Sequence, residues 1–215
     1  MAKAPAKESL VIKGPVGQLE ALIEQPDRFD GKRVAVLCHP HPQHHGTMLN
    51  KVVHTLARAM TDLGIVAVRF NFRGVGASEG GYGDGIGEMN DLEFVAAYAR
   101  QRWPNAEIWL AGFSFGAVIS ARAAVLLDPV RLISIAPAVN ILGRELVSAP
   151  TMPWLIIQGG ADDVVPANDV IKWVASLDPQ PELIVLPEAG HFFHGHLVAL
   201  RKLLADRLAD EPASR

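Results

Sequence analysis

Apolar residues in this chain fall into two kinds of block. One kind is a short run with little polar relief: Arg33-Val34-Ala35-Val36-Leu37-Cys38, Ile65-Val66-Ala67-Val68-Arg69-Phe70, Glu107-Ile108-Trp109-Leu110-Ala111, Leu132-Ile133-Ser134-Ile135-Ala136, Trp154-Leu155-Ile156-Ile157-Gln158 and Leu183-Ile184-Val185-Leu186. Such runs, bounded by turn residues, predict strands buried on both faces. The other kind recurs at helical spacing. From Asn50 to about Leu63, Val52, Val53, Leu56, Ala59, Met60 and Leu63 share one face, and Gly64 stops the pattern. Further helices are expected near Glu88–Arg100, Ala117–Leu127, Val170–Leu177 and Leu197–Leu208. Ahead of all of these, Leu10-Val11-Ile12 and Leu19-Glu20-Ala21-Leu22-Ile23 flank Gly14-Pro15-Val16-Gly17, which predicts an antiparallel hairpin.

Strands alternating with helices predict β-α-β units and a mostly parallel sheet covered on both faces, with the hairpin at one edge. No repeat, linker or second core interrupts the pattern, so residues 1–215 read as a single domain. Between Ala136 and Trp154 there are about 17 residues, room for a turn or one short helix but not for a cap domain.

Composition narrows the setting. The hydrophobic fraction of 49% supplies a substantial core, and the net charge of −3 offers no basic surface for nucleic acid. No apolar run approaches a membrane span, and Met1 to Glu8 lacks the apolar stretch of a signal peptide. The single cysteine, Cys38, excludes an internal disulfide framework. The expected setting is soluble and cytoplasmic, as a monomer or homodimer without a membrane partner.

The candidate chemistry begins at Gly112-Phe113-Ser114-Phe115-Gly116, which reads G-x-S-x-G. A chain with 19 Gly in 215 residues matches that pattern by chance roughly 0.06 times, so the flanking elements decide its meaning. Here a predicted buried strand precedes it and a predicted buried helix follows. That is the setting of a strand-to-helix turn that exposes a serine nucleophile. The serine needs a base, and His191 follows the last predicted strand. The histidine needs a carboxylate, and Asp162-Asp163 follow the Trp154 run. Spacing alone does not separate the two aspartates. An oxyanion also needs two N–H donors. Phe115, next to the nucleophile, supplies one. The other is expected in His39-Pro40-His41-Pro42-Gln43-His44-His45-Gly46, where proline removes two donors and His41 is the candidate nearer the loop tip.

The four histidines of that loop invite a metal reading. Pro40 and Pro42 force an extended path, and no acidic residue lies within the cluster, so imidazoles that line a pocket or bond to the backbone are the simpler expectation. Phe113 and Phe192, with Phe115 and Phe193, either wall an apolar acyl pocket or are ordinary core packing. Arg73, just ahead of the Gly-rich stretch Gly74 to Gly87, is expected to pair with a carboxylate or with the chain's own backbone. His194 and His196 are expected to face solvent.

These residues resemble the α/β-hydrolase superfamily across nearly the whole chain. Gly112 to Ala117 is similar to its nucleophile elbow, Gly159-Gly160-Ala161-Asp162-Asp163-Val164-Val165-Pro166 to its acid loop, and Gly190-His191 to its histidine loop. In many members the acid precedes one residue and then Val-Val-Pro, which favours Asp162. His39-Pro40-His41-Pro42 with Gly46-Thr47-Met48, and Phe70-Asn71-Phe72-Arg73-Gly74-Val75-Gly76, resemble a bacterial subgroup of small, lidless serine hydrolases regarded as esterases. The superfamily often has His-Gly where this chain has His39-Pro40, so His41 rests on loop position rather than on a matched motif. Dienelactone hydrolases share the fold but place a cysteine at the elbow, where this chain has Ser114.

The resemblance implies a sheet of about eight strands and hydrolysis by Ser114, His191 and Asp162 through an acyl-enzyme, with no cofactor and no metal. A lidless site is expected to favour small, soluble carboxylic esters. A thioesterase or peptidase on the same three residues, a His-ligated metallohydrolase and a non-catalytic scaffold are the competing readings.

Overall fold

Runs that can expose neither face take the middle of a sheet, and runs with one polar face take its edge or its covering. The computed structural model describes residues 5–29, 31–140 and 150–209. Its strands are β1 (Ala6–Lys13), β2 (Gln18–Gln25), β3 (Arg33–Cys38), β4 (Val66–Phe70), β5 (Glu107–Phe113), β6 (Arg131–Ile135), β7 (Trp154–Gly159) and β8 (Glu182–Leu186). They form an eight-stranded sheet in the order β1-β2-β4-β3-β5-β6-β7-β8. β2 runs antiparallel to both neighbours, and the pairs from β4 through β8 are parallel. The edge strand β1 is mostly exposed, whereas β3 to β7 are buried almost throughout.

The helices are α1 (Lys51–Asp62), α2 (Ile86–Arg102), α3 (Phe115–Leu127), α4 (Ala167–Ala175) and α5 (Leu197–Leu208). α2, α3 and α4 cover one face over Val34, Val36, Ile108 and Leu110. On the other face, α1 and α5 cover Ala35, Leu37, Trp109 and Phe113. The two-residue pleat explains how one apolar strand feeds both cores.

Three helices begin earlier than their apolar periodicity, α4 among them at Ala167, and for the other two the reason is identifiable. α2 starts at Ile86 because the Glu88 carboxylate accepts the Gly83 and Gly85 N–H groups (2.9 and 2.8 Å), fixing the turn ahead of it. α3 starts at Phe115, not Ala117, because the Ala117 and Val118 N–H groups already bond to the Ser114 carbonyl. The elbow is thus the first turn of the helix.

Because β3, β5, β7 and β8 are parallel, the loops after them emerge at one end of the sheet. The chain reverses its direction of sheet growth between β3 and β5, which opens a crevice at the carboxyl ends of those strands. The turn or short helix expected between Ala136 and Trp154 falls largely at residues 141–149, outside the described residues. Among the described residues, no helix is long and apolar enough to cross a membrane.

Candidate active site

Ser114 follows β5 directly and has φ 55° and ψ −115°. A positive φ is costly for a residue with a Cβ, so the surroundings must impose it. The Ser114 N–H bonds to the Ile135 carbonyl (2.8 Å), and its own carbonyl accepts from Ala117, Val118 and Ala138 (3.1, 3.3 and 3.2 Å). A Cβ on Gly112 would lie 2.2 Å from the Gly116 oxygen, and one on Gly116 would lie 2.4 Å from the Cys38 oxygen. The ends of β3 and β5 and the start of α3 therefore touch through bare backbone. The two glycines of the motif are what allow it.

His191, past the end of β8, places Nε2 3.0 Å from Ser114 Oγ and Nδ1 2.8 Å from Asp162 Oδ2. All three residues are buried. The second Asp162 oxygen accepts the N–H groups of Val164 and Val165 (2.9 and 2.7 Å). Burial by itself would raise the Asp162 carboxyl. The hydrogen bonds from His191 and Val165, the His191 charge and the Val164 N–H outweigh it and hold the group below the ordinary aspartate value. An ionised Asp162 only accepts, so the His191 proton sits on Nδ1. Nε2 then presents its lone pair to the serine hydroxyl. The neighbouring Asp163 is exposed.

Phe115 opens α3, so its N–H precedes the first intrahelical bond. His41 can be accounted for group by group. Its carbonyl accepts from His44 and Gly46 (both 3.0 Å), its Nδ1 accepts from Gln43 N–H (3.2 Å), and its Nε2 meets the Tyr82 hydroxyl (3.3 Å). Among the described residues, only the N–H of this buried residue meets no acceptor. The His41 ring packs 4.8 Å from the Phe115 ring, so the two residues are neighbours.

His39 is wholly buried, and both its nitrogens are engaged: Nδ1–H donates to the Pro40 carbonyl (2.6 Å) and Nε2 accepts from Phe72 N–H (3.0 Å). It pins the loop after β3 to the segment after β4. Burial lowers its pKa to about 4, against the opposing pull of the Pro40 bond. An unfolded histidine titrates near 6.5, so below that pH the unfolded chain takes up a proton that the folded site refuses. The stabilisation is complete above about pH 6.5 and fades as pH falls toward 4, a loss of roughly 3 kcal/mol. The urea midpoint is therefore expected to drop between about pH 7.5 and pH 4.5. The slope should flatten in His39→Gln, which denaturation curves of both proteins check.

The remaining sequence candidates divide. Phe113 is fully buried in the core, with its ring 5.0 Å from that of His191. Phe192 is 44% exposed and stands edge-on to His191 at 5.1 Å. Phe193 is buried in the same core as Phe113. His44 and His45 are exposed, and among the described residues no three His, Cys, Asp or Glu side chains converge as a metal site. Arg73 pairs with Asp91 through Nη2 at 2.7 Å. The Cys38 thiol is buried and pushed up to about 12, so it stays protonated.

Gln158 was not singled out by the motifs. Its Nε2 donates to Asp162 Oδ2 and to the Val165 carbonyl (both 3.0 Å), bracing the carboxylate. A lone amide closing an apolar strand was its signal, since a buried polar group must find a partner.

Comparison with known proteins now places the chain. The sequence model of the serine aminopeptidase S33 family matches residues 31–148. An α/β serine hydrolase homologue from Coxiella burnetii is 48% identical over 94% of this chain and 97% of that one, with a TM-score of 0.91. The chain belongs to the serine aminopeptidase S33 family of α/β serine hydrolases. This hydrolase is also 41% identical to a lidless α/β serine hydrolase from Xanthomonas campestris, over 99% of both chains with a TM-score of 0.90. An uncharacterized protein of Rickettsia prowazekii is 32% identical to it over 93% of this chain and 87% of its own length. The α/β-hydrolase fold follows from these matches together with the sheet order, and among the described residues no lid domain covers the sheet.

Proposed function

We propose that this α/β serine hydrolase is a carboxylesterase acting on small soluble esters. The observation that carries the reading is the unbroken chain from Ser114 Oγ through His191 to Asp162, at 3.0 and 2.8 Å. Ser114 attacks the ester carbonyl while His191 Nε2 takes its proton. Asp162 stabilises the imidazolium that forms and holds its tautomer. The N–H groups of Phe115 and His41 receive the oxyanion, since neither donor meets an acceptor among the described residues. His191 then protonates the departing alcohol, and water, activated by the same imidazole, releases the acid.

Phe192 offers an exposed apolar wall beside His191, and Phe113 holds the imidazole from beneath. The eighteen residues between β6 and β7 are too few for a cap domain that would enclose a long acyl chain. Among p-nitrophenyl esters, kcat/KM is expected to be highest for acetate to butyrate and to fall at least about tenfold by decanoate.

The name of the matching family raises a peptidase reading. An aminopeptidase uses a carboxylate to hold the substrate's amino terminus, and two buried candidates are already engaged: Asp162 by His191, and Glu88 by Gly83 and Gly85. Leucine p-nitroanilide is therefore expected to turn over far more slowly than p-nitrophenyl acetate. Faster anilide cleavage would reverse the assignment.

A further inference from the structure

Tyr82 lies in the loop between β4 and α2, outside the catalytic chain and outside every motif of the sequence. Its ring packs 5.1 Å from His41 and 6.2 Å from Phe115, the residues that flank the proposed oxyanion position. The direction of its bond to His41 is fixed from the far side of the imidazole. His41 Nδ1 accepts the Gln43 N–H and so carries no proton. The neutral ring must then be protonated at Nε2, which donates to the Tyr82 oxygen. The phenol keeps its own proton, and among the described residues no acceptor takes it.

The loop behind Tyr82 is braced. Glu88 holds the Gly83 and Gly85 N–H groups, and Arg73, clamped by Asp91, fills the space where a Gly87 Cβ would stand. Burial and the carboxylates of Glu88 and Asp84 hold the phenol above its ordinary value, so it remains a donor at any working pH. Those same carboxylates repel an anionic acceptor.

Sheet order says which part of a substrate would meet this hydroxyl. Ser114 follows β5. His41 and Tyr82 follow β3 and β4 on one side of it, while Asp162 and His191 follow β7 and β8 on the other. If His191 delivers its proton to the alcohol, the alcohol leaves on the β7–β8 side. The acyl group then lies toward β3 and β4.

We propose that Tyr82 is a specificity-determining residue whose hydroxyl donates a hydrogen bond to a neutral oxygen on the acyl side of the ester. The substrate class is esters of short acids that carry an ether, hydroxyl or keto oxygen near the carbonyl. This rests on the esterase reading of Ser114.

The test uses p-nitrophenyl methoxyacetate and p-nitrophenyl butyrate, which have acyl groups of equal length and differ by an oxygen in place of a methylene. Their intrinsic reactivities cancel when the ratio of kcat/KM values is compared between proteins. Tyr82→Phe is expected to lower the methoxyacetate-to-butyrate ratio about tenfold. A ratio within about twofold of the unsubstituted enzyme overturns the proposal, including the case in which both esters slow equally, which marks loop support instead. Loss of the esterase reading looks different: the unsubstituted protein would turn over neither ester, or would do so equally well as Ser114→Ala.

Discussion

Replacing Ser114 by alanine is expected to lower kcat for p-nitrophenyl acetate by roughly 10⁴- to 10⁶-fold and to abolish labelling by a fluorophosphonate probe. The loss is large because the residues of such a chain act as a unit. Without Oγ, the His191 lone pair has no proton to take, and Asp162 stabilises a charge that never forms. The fold should survive. Alanine at position 114 inherits the same positive φ, and the backbone bonds to Ile135, Ala117, Val118 and Ala138 involve no hydroxyl. Circular dichroism and the urea midpoint separate lost chemistry from lost structure. Undiminished turnover in a folded Ser114→Ala protein would end the serine hydrolase mechanism for this chain.

Asp162→Asn is expected to lower kcat by about 10⁴-fold, against no more than about twofold for Asp163→Asn. The asparagine oxygen can still accept the Val164 and Val165 N–H groups, so the loop keeps its shape. The new amide then turns its own N–H toward His191 Nδ1, which stops donating and becomes an acceptor. The ring proton moves to Nε2, where it faces the serine hydroxyl and blocks its deprotonation. The same substitution sets Gln158 Nε2–H against another N–H donor. With the native carboxyl held below its ordinary value, its contribution to stability is present above the usual aspartate pKa and is lost only as pH falls through the lowered folded one. Comparing the two Asn variants at one neutral pH assigns the acid directly. A larger loss in Asp163→Asn would move it.

How much of this was legible in sequence depends on distance along the chain. Period and turn residues are local, so β3, β4, β6, β7, β8 and helix α1 stand within a residue of their expected ends, while β5 runs two residues further, into the elbow. α3 starts two residues ahead of its Ala-rich run, across Gly116, a poor helix former that the close crossing with β3 demands there. Ser114 and His191 were legible because strand ends in a parallel sheet converge, although they lie 77 residues apart. Spacing could not choose between Asp162 and Asp163. The choice came from the resemblance, and the structure supplies its reason: Asp162 points inward on a turn that its own side chain caps. Tyr82 was illegible because nothing local says that a loop after β4 will return to the ring of His41.

The bare-backbone crossing at Gly112 and Gly116 has a consequence for how such a protein changes over time. The position of the nucleophile is set by main-chain contacts among β3, β5 and α3, and no substrate-facing side chain takes part. The placement of the nucleophile is therefore inherited separately from the side chains that face the substrate. Residues such as Tyr82 and Phe192 can drift through many identities while the serine stays in register. For engineering, the practical division is a frozen chassis of three crossing backbones and a few exchangeable side chains, such as Tyr82 and Phe192, around it.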